Sequence, residues 1–111
     1  MIISTPLEIH MPVVIATIKT KPGRRDEVLA AFEQHTPAIH TEDGCELYAV
    51  HAGTDRVTVV EKWVDQATLD AHGSGAPLAA IAAAIGDALA EPLDIAAMEP
   101  FPAGDGAKGL L

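Results

Sequence analysis

Alternation of apolar and polar residues predicts four β-strands along the chain. Residues 13–18 (VVIATI) are mostly β-branched and apolar, which is typical of a strand that is buried on both faces. Apolar and polar side chains alternate more clearly in residues 45–51 and 56–63. The turn at residues 52–55 between these two segments predicts a β-hairpin. A fourth strand is expected at residues 93–98.

A long helix is predicted between the first two strands, over about residues 24–42. Its apolar side chains recur at helical spacing and should face the sheet. Pro37 is expected to kink or shorten this helix, because proline lacks a backbone donor, and Gly44 suits the turn that follows. The apolar stripe consists of Val28, Phe32, His35 and Ile39, with Leu29 beside it.

Two shorter helices are predicted before the last strand. Asp65 is a good N-cap for a helix at residues 66–72, which residues 73–75 (GSG) should end. Pro77 suits the first turn of the next helix, which is expected to end at Pro92. The apolar stripe of that helix consists of Leu78, Ile81, Ile85 and Leu89.

The resulting order, β-α-β-β-α-α-β, is the ferredoxin-like α+β plan with its second helix broken in two. In this fold a four-stranded antiparallel sheet carries its helices on one face. The first and third strands are apolar on both faces, and a large exposed apolar face is uncommon in monomers. We therefore expect two sheets to pack together in a homodimer. Residues 11–98 form the predicted domain, with an N-terminal arm at residues 1–10 and a flexible C-terminal tail at residues 99–111.

Composition narrows the possible partners of this chain. The 111 residues carry 7 Lys and Arg against 16 Asp and Glu, a formal net charge of −9, which argues against nucleic acid and anionic membranes. No segment approaches the ~18 apolar residues of a membrane span, and residues 1–10 lack the basic start of a signal peptide. Cys45 is the only cysteine and suits a reducing compartment, so we expect a cytoplasmic protein.

The sequence contains none of the familiar cofactor or metal motifs. It lacks the glycine-rich fingerprints of nucleotide sites, paired cysteines and a Gly-x-Ser-x-Gly elbow. Its five histidines include no helical i, i+4 pair, so no metal site is expected. If the chain is an enzyme, we expect it to work without a nucleotide or a metal.

Four segments, taken in order, resemble the antibiotic biosynthesis monooxygenase family. Residues 42–48 (EDGCELY) resemble its E-x-G-C-x-x-Y segment, and residues 61–63 (EKW) its E-x-W strand end. Residues 67–72 (ATLDAH) are similar to its A-L-x-x-H helix, and residues 13–23 to its first strand and turn. The resemblance covers about residues 11–98 and is closest to the small quinol monooxygenases.

The resemblance implies a dimeric α+β barrel that oxidises quinols or polycyclic phenols with O₂, without flavin, haem or metal. An electron-rich quinol can itself supply electrons to O₂. The protein then has to bind the quinol in a dry pocket, help to deprotonate it and stabilise the charge that develops. The implied partners are a small aromatic substrate, O₂ and a second copy of the chain.

His72 is the predicted catalytic residue, because it matches the histidine of the family and because imidazole titrates near neutral pH. The alternative is a structural histidine at a helix end. The family usually continues with x-x-[ST]-P-H, whereas residues 73–78 (GSGAPL) have one extra residue and no second histidine. This departure favours a non-catalytic alternative, namely a dimeric barrel that binds a ligand or serves a stress response.

Five further residues are candidates for substrate binding, and each has a structural alternative. Trp63 either stacks on a flat ring or packs in the core, and Glu61 either orients a histidine or forms an ion pair. Tyr48 either donates a hydrogen bond to a ligand or packs. His35 and Phe32 lie on the helix stripe that faces the sheet, where they either reach the pocket or belong to the core.

Two further activities occur on this fold. Relatives that degrade haem combine an asparagine on the first strand with tryptophan and histidine, and residues 13–20 contain no asparagine. Isomerases also occur on this barrel.

Overall fold

The computed structural model describes residues 11–111, and its order of elements confirms the predicted ferredoxin-like α+β fold. The N-terminal arm predicted at residues 1–10 lies outside the described residues. The elements are β1 (Val13–Lys19), α1 (Arg25–His40), β2 (Cys45–Ala52), β3 (Arg56–Trp63), α2 (Gln66–Gly73), α3 (Ala76–Ile85), a 3₁₀ turn (Gly86–Ala88) and β4 (Asp94–Met98).

The four strands form one antiparallel sheet in the order β2-β3-β1-β4. Burial alternates along β1 and β3, because successive side chains point to opposite faces. The more deeply buried face packs against the helices, and the opposite face is only half-buried at Val13, Ile15 and Val60. The largest side chains that are almost fully buried are Trp63, Ile18, Ile39, Ile81 and Ile85.

The helix predicted to end at Pro92 ends instead at Ile85, so that part of the prediction is wrong. The backbone after α3 tightens into the 3₁₀ turn and then becomes extended at Leu89, which bridges to Thr20. The amide of Lys21 donates to the Ala88 carbonyl, and the amide of Ala90 donates to the Lys19 carbonyl. Pairing with the end of β1 therefore competes with further helix, and Gly86 favours the change because glycine is a weak helix former.

Pro37 lies inside α1, which continues without a break over 16 residues. Proline leaves the carbonyl four residues earlier, that of Glu33, without its helical partner. Glu33 and Pro37 are both exposed, so water can donate a hydrogen bond to the Glu33 carbonyl. The buried face of α1 contains Ala31 in addition to the expected Val28, Phe32 and Ile39, whereas His35 is half-buried.

The predicted N-cap at Asp65 is confirmed as a reciprocal capping box. The Thr68 amide donates to Asp65 Oδ1 at 2.8 Å, and the Asp65 amide donates to Thr68 Oγ1 at 3.4 Å. This cap determines where α2 begins, and His72 then falls in its last turn, where it is buried against the sheet.

Residues 99–111 contain no helix or strand, and Lys62 Nζ donates to the carbonyl oxygen of Leu111 at 2.7 Å. Within residues 11–111, no helix is both long enough and apolar enough to cross a bilayer.

We expect Gly44→Ala to destabilise the fold by more than Gly23→Ala does. Both glycines have positive φ, +78° and +75°, which should cost alanine about 1–2 kcal/mol at either site. A Cβ at Gly44 would also collide with the Thr68 side chain and disturb the cap of α2, whereas nothing lies within 4 Å of a Cβ at Gly23. Urea unfolding of both variants would measure the difference, and equal losses would contradict this account.

Candidate active site

A cavity of about 330 Å³ lies between the sheet and helices α2 and α3. Directly opposed residues of neighbouring strands share a face of the sheet. One such row crosses the floor of the cavity from β2 to β4 and consists of Tyr48, Glu61, Val14 and Ala97. Most of the remaining lining is apolar, so the cavity suits a hydrophobic ligand.

The wall that β4 contributes is open to solvent. Leu93, Ile95 and Ala97 line the cavity, and the Ile95 side chain is 59% exposed. On the opposite side, Ile81 and Ile85 of α3 are buried, and α3 packs against α1. The cavity is therefore closed at its helical side and accessible along the strand at the edge of the sheet.

His72 lies at the polar end of the cavity and is only 4% exposed. Its Nδ1 is 2.7 Å from Glu42 Oε1, and its Nε2 is 3.7 Å from Glu61 Oε1. The Trp63 ring stacks on the imidazole with the centroids 4.6 Å apart, and the Tyr48 ring meets it edge-on at 5.5 Å. The imidazole is thus held by a carboxylate at one nitrogen, a second carboxyl near the other and an aromatic ring against its face.

Glu61 is buried among apolar side chains at 5% exposure. Burial raises the pKa of its carboxyl, while the hydrogen bond that Trp63 Nε1 donates to Oε1 at 3.0 Å and the nearby His72 oppose that rise. Burial also raises the pKa of Tyr48, with Glu61 and Glu42 adding to the effect. The phenol of Tyr48 is therefore neutral at physiological pH and available as a hydrogen-bond donor.

The predicted site residues separate into two groups. His72, Glu61, Tyr48 and Phe32 all line the cavity. Trp63 is fully buried behind His72 and is not among the lining residues, so it supports the imidazole from the core side.

His35 is half-buried on α1 and is likewise not among the residues that line the cavity. The apolar stripe of α1 that includes His35 faces the sheet at Val28 and Phe32. The cavity, however, extends toward α3 rather than along α1.

Sequence reasoning did not select Glu42. Its position in a short polar turn is typical of a solvated residue, and only the folded chain brings it across to α2, 30 positions away. The one feature of the sequence that points to Glu42 is its place at the start of the segment that resembles the family. Because the turn and α2 are 30 residues apart in sequence, no local pattern predicts that Glu42 contacts His72.

Cys45 and the acidic residues do not form a second kind of site. Burial raises the pKa of the Cys45 thiol, with Glu42 and Glu61 adding to the rise, so the thiol stays protonated. Glu42 and Glu61 approach opposite nitrogens of His72 and do not converge on one point. Among residues 11–111, no group of three His, Cys, Asp or Glu side chains is arranged to hold a metal ion.

The α+β fold thus contains an apolar cavity that ends at a buried imidazole. The sequence profile of the antibiotic biosynthesis monooxygenase family matches residues 11–84, two thirds of the chain. The chain therefore belongs to this family. No curated protein matches its sequence significantly.

Solved structures share the fold. A protein of Caulobacter crescentus CB15, provisionally assigned as an antibiotic biosynthesis monooxygenase, is 24% identical with a TM-score of 0.76, covering 84% of this chain and 92% of its own. Rv0793 of Mycobacterium tuberculosis is 21% identical with a TM-score of 0.77, covering 86% and 99%. A Nitrosomonas europaea protein with the same provisional assignment is 18% identical with a TM-score of 0.76, covering 81% and 89%. At these identities the likeness establishes the fold.

We expect Glu61→Gln to gain stability relative to the parent protein as the pH rises from about 4 to about 7. Because burial raises the pKa of Glu61 in the folded chain, the contribution of this group to stability is present at low pH and is lost as it ionises. Glutamine keeps an oxygen that can accept from Trp63 Nε1 but cannot ionise.

The measurement is the free energy of unfolding of both proteins at the two pH values. Glu46→Gln, which removes an exposed carboxylate of β2, is the control and should show little change. A Glu61→Gln variant that loses relative stability with rising pH would contradict the expectation.

Proposed function

We propose that this chain is a cofactor-independent monooxygenase that oxidises a quinol or a polycyclic phenol with O₂. The observation that carries the proposal is an apolar cavity that ends at His72, whose ring is held between two carboxyl groups. Membership of the antibiotic biosynthesis monooxygenase family supports monooxygenase chemistry. The quinol or phenol is proposed because such a substrate can supply the electrons itself.

In the proposed reaction, the phenolic proton of the substrate moves to Nε2 of His72. The resulting phenolate is more readily oxidised than the phenol. The ring then gains one atom of O₂ at a C–H carbon and loses two hydrogens, which leave with the other oxygen atom as water. A hydroquinone gives a hydroxyquinone in this way, with all four electrons supplied by the substrate.

The other lining residues serve binding in this proposal. Tyr48 is a neutral donor for an oxygen of the substrate, and Phe32 packs against its ring. His72 and Glu61 are themselves almost fully buried at one end of the cavity, so that charge interactions between them are stronger than they are in solvent.

A non-catalytic ligand-binding barrel is the second candidate, and one observation favours it. Residues 73–78 depart from the usual pattern of the family, and Gly73 and Leu78 both line the cavity. The altered loop therefore changes the shape of the site itself. The two candidates differ in turnover and not in binding.

We also propose that the protein works as a cytoplasmic homodimer in which two sheets face each other. Val13, Ile15 and Val60 lie on the face opposite the helices, and Met98 of β4 on that face is 46% exposed. Covering this face with a second copy would bury apolar surface. The single cysteine supports a reducing compartment.

We expect the protein to consume O₂ with members of a panel of hydroquinones and polycyclic phenols, in metal-free buffer, faster than the uncatalysed reaction. His72→Ala and the bulkier His72→Gln should lower turnover at least about tenfold while ligand affinity holds, because general-base catalysis contributes about 10²–10⁴-fold. His51→Ala, which removes an exposed histidine of β2, is the matched control. Ligand binding without any O₂ uptake would exclude the enzyme and leave the binding barrel.

Sedimentation should give twice the 11.6 kDa mass of the chain. Ile15→Lys places a charge on the proposed interface and should yield monomers, because a buried unpaired charge is costly. Ala83→Lys adds the same charge on the exposed side of α3 and should stay dimeric. A parent protein that sediments as a monomer would contradict the dimer.

A further inference from the structure

We propose that Glu42 is a positioning residue that fixes the tautomer and orientation of His72, so that His72 and Glu61 take up the proton of the substrate as one unit. Glu42 is not among the residues that line the cavity, and it acts through the imidazole. The kinetic part of this inference rests on the proposed function, whereas the tautomer does not depend on it.

The backbone holds Glu42 firmly in place. In the turn between α1 and β2, its amide donates to the Ile39 carbonyl at 3.0 Å, and its carbonyl accepts from the Cys45 amide at 3.2 Å. Each oxygen of its carboxylate has one close neighbour. Oε1 contacts His72 Nδ1, and Oε2 lies beside Gly75, where a Cβ would be only 3.1 Å from it. The carboxylate is thus confined between the imidazole and the glycine that precedes α3.

The contact of 2.7 Å assigns the proton on the ring. Because an ionised carboxylate only accepts hydrogen bonds, Nδ1 of His72 must donate to Glu42. In the neutral ring the lone pair is then on Nε2, the nitrogen that faces Glu61 at 3.7 Å. Glu42 therefore directs the basic nitrogen of His72 toward the carboxyl group that lines the cavity.

The same arrangement favours uptake of one proton. When a phenolic O–H gives its proton to Nε2, the imidazolium has Glu42 at one N–H and Glu61 near the other. The added positive charge lies between two carboxylates in a region of low dielectric, where such attraction is strong. Glu61 Oε1 lies 3.7 Å from Nε2, beyond hydrogen-bond distance, so its negative charge stabilises the imidazolium through space and the two groups titrate as a pair.

The remaining groups around the imidazole do not compete for this role. On β2, the Tyr48 phenol and the Cys45 thiol are both kept neutral by burial. On α2 itself, Asp70 lines the cavity but is exposed and accepts a hydrogen bond from Gln66. The part of α3 that lines the cavity consists of Leu78, Ile81, Ala82 and Ile85, none of which titrates.

Glu42→Gln tests the role in catalysis, since it removes the charge and keeps the size. The imidazolium loses one stabilising carboxylate, so the rising limb of the kcat/KM profile should move to lower pH. We expect kcat to fall roughly 10- to 100-fold with KM within about twofold. Glu46→Gln, an equal loss of charge from an exposed position of β2, should leave both the profile and kcat unchanged.

A second measurement is independent of turnover. At a pH at which the ring is neutral, the ¹⁵N chemical shifts of His72 in the ligand-free parent protein should report protonation at Nδ1. Glu42→Gln should give a mixture of tautomers. Gly75→Ala, which crowds Oε2 of Glu42 and keeps its charge, should shift the ring signals in the same direction by less.

The outcomes separate this inference from the proposed function. An Nδ1–H ring that responds to Glu42→Gln, in a protein that turns over no quinol, would support the positioning role and refute the monooxygenase. A ring protonated at Nε2 in the parent protein, or a pH profile that Glu42→Gln and Glu46→Gln shift equally, would overturn the positioning role.

Discussion

The contact between His72 and Glu42 connects the parts of the molecule that build the site. It joins the last turn of α2 to the turn that follows α1, two segments 30 residues apart in sequence. The backbone of Glu42 is fixed at its amide and its carbonyl, and His72 is fixed by the capped helix on which it lies. With both backbones held by hydrogen bonds, the contact places the imidazole at the end of the cavity with Nδ1 toward Glu42.

Burial gives this cluster its chemical character. The floor of the cavity is a row of the sheet in which Glu61 lies between Tyr48 and Val14, so its carboxyl is surrounded by poorly hydrated groups. Such a carboxyl is costly to ionise unless it has partners, and Trp63 Nε1 and His72 provide them. The same desolvation that costs stability makes the group responsive to the protonation of its neighbour. Polar residues in the floor of an otherwise apolar cavity therefore keep a carboxyl group and an imidazole together away from solvent.

Several elements could be predicted because their determinants are local. Asp65 and Thr68 are three residues apart and form the cap of α2 by themselves, and alternation in β3 shows which side chains face the helices. The end of α3 could not be predicted in the same way. Leu89 continues the apolar stripe, but its backbone pairs with Thr20, and this pairing over a long sequence separation outweighs the helical pattern. His35 shows the same limit, since its place on the stripe says nothing about where the cavity extends.

The sequence by itself determined the ferredoxin-like order of elements and the membership of the monooxygenase family, and it selected His72, Glu61, Tyr48 and Phe32 as candidate site residues. These follow from periodicity, capping and short motifs, which act over a few residues. Only the tertiary structure decided that Trp63 supports the imidazole from behind, that Glu42 meets its Nδ1, and that β4 leaves the cavity open along its edge. Each of these depends on the distance between segments remote in the chain, which packing sets and local pattern does not encode.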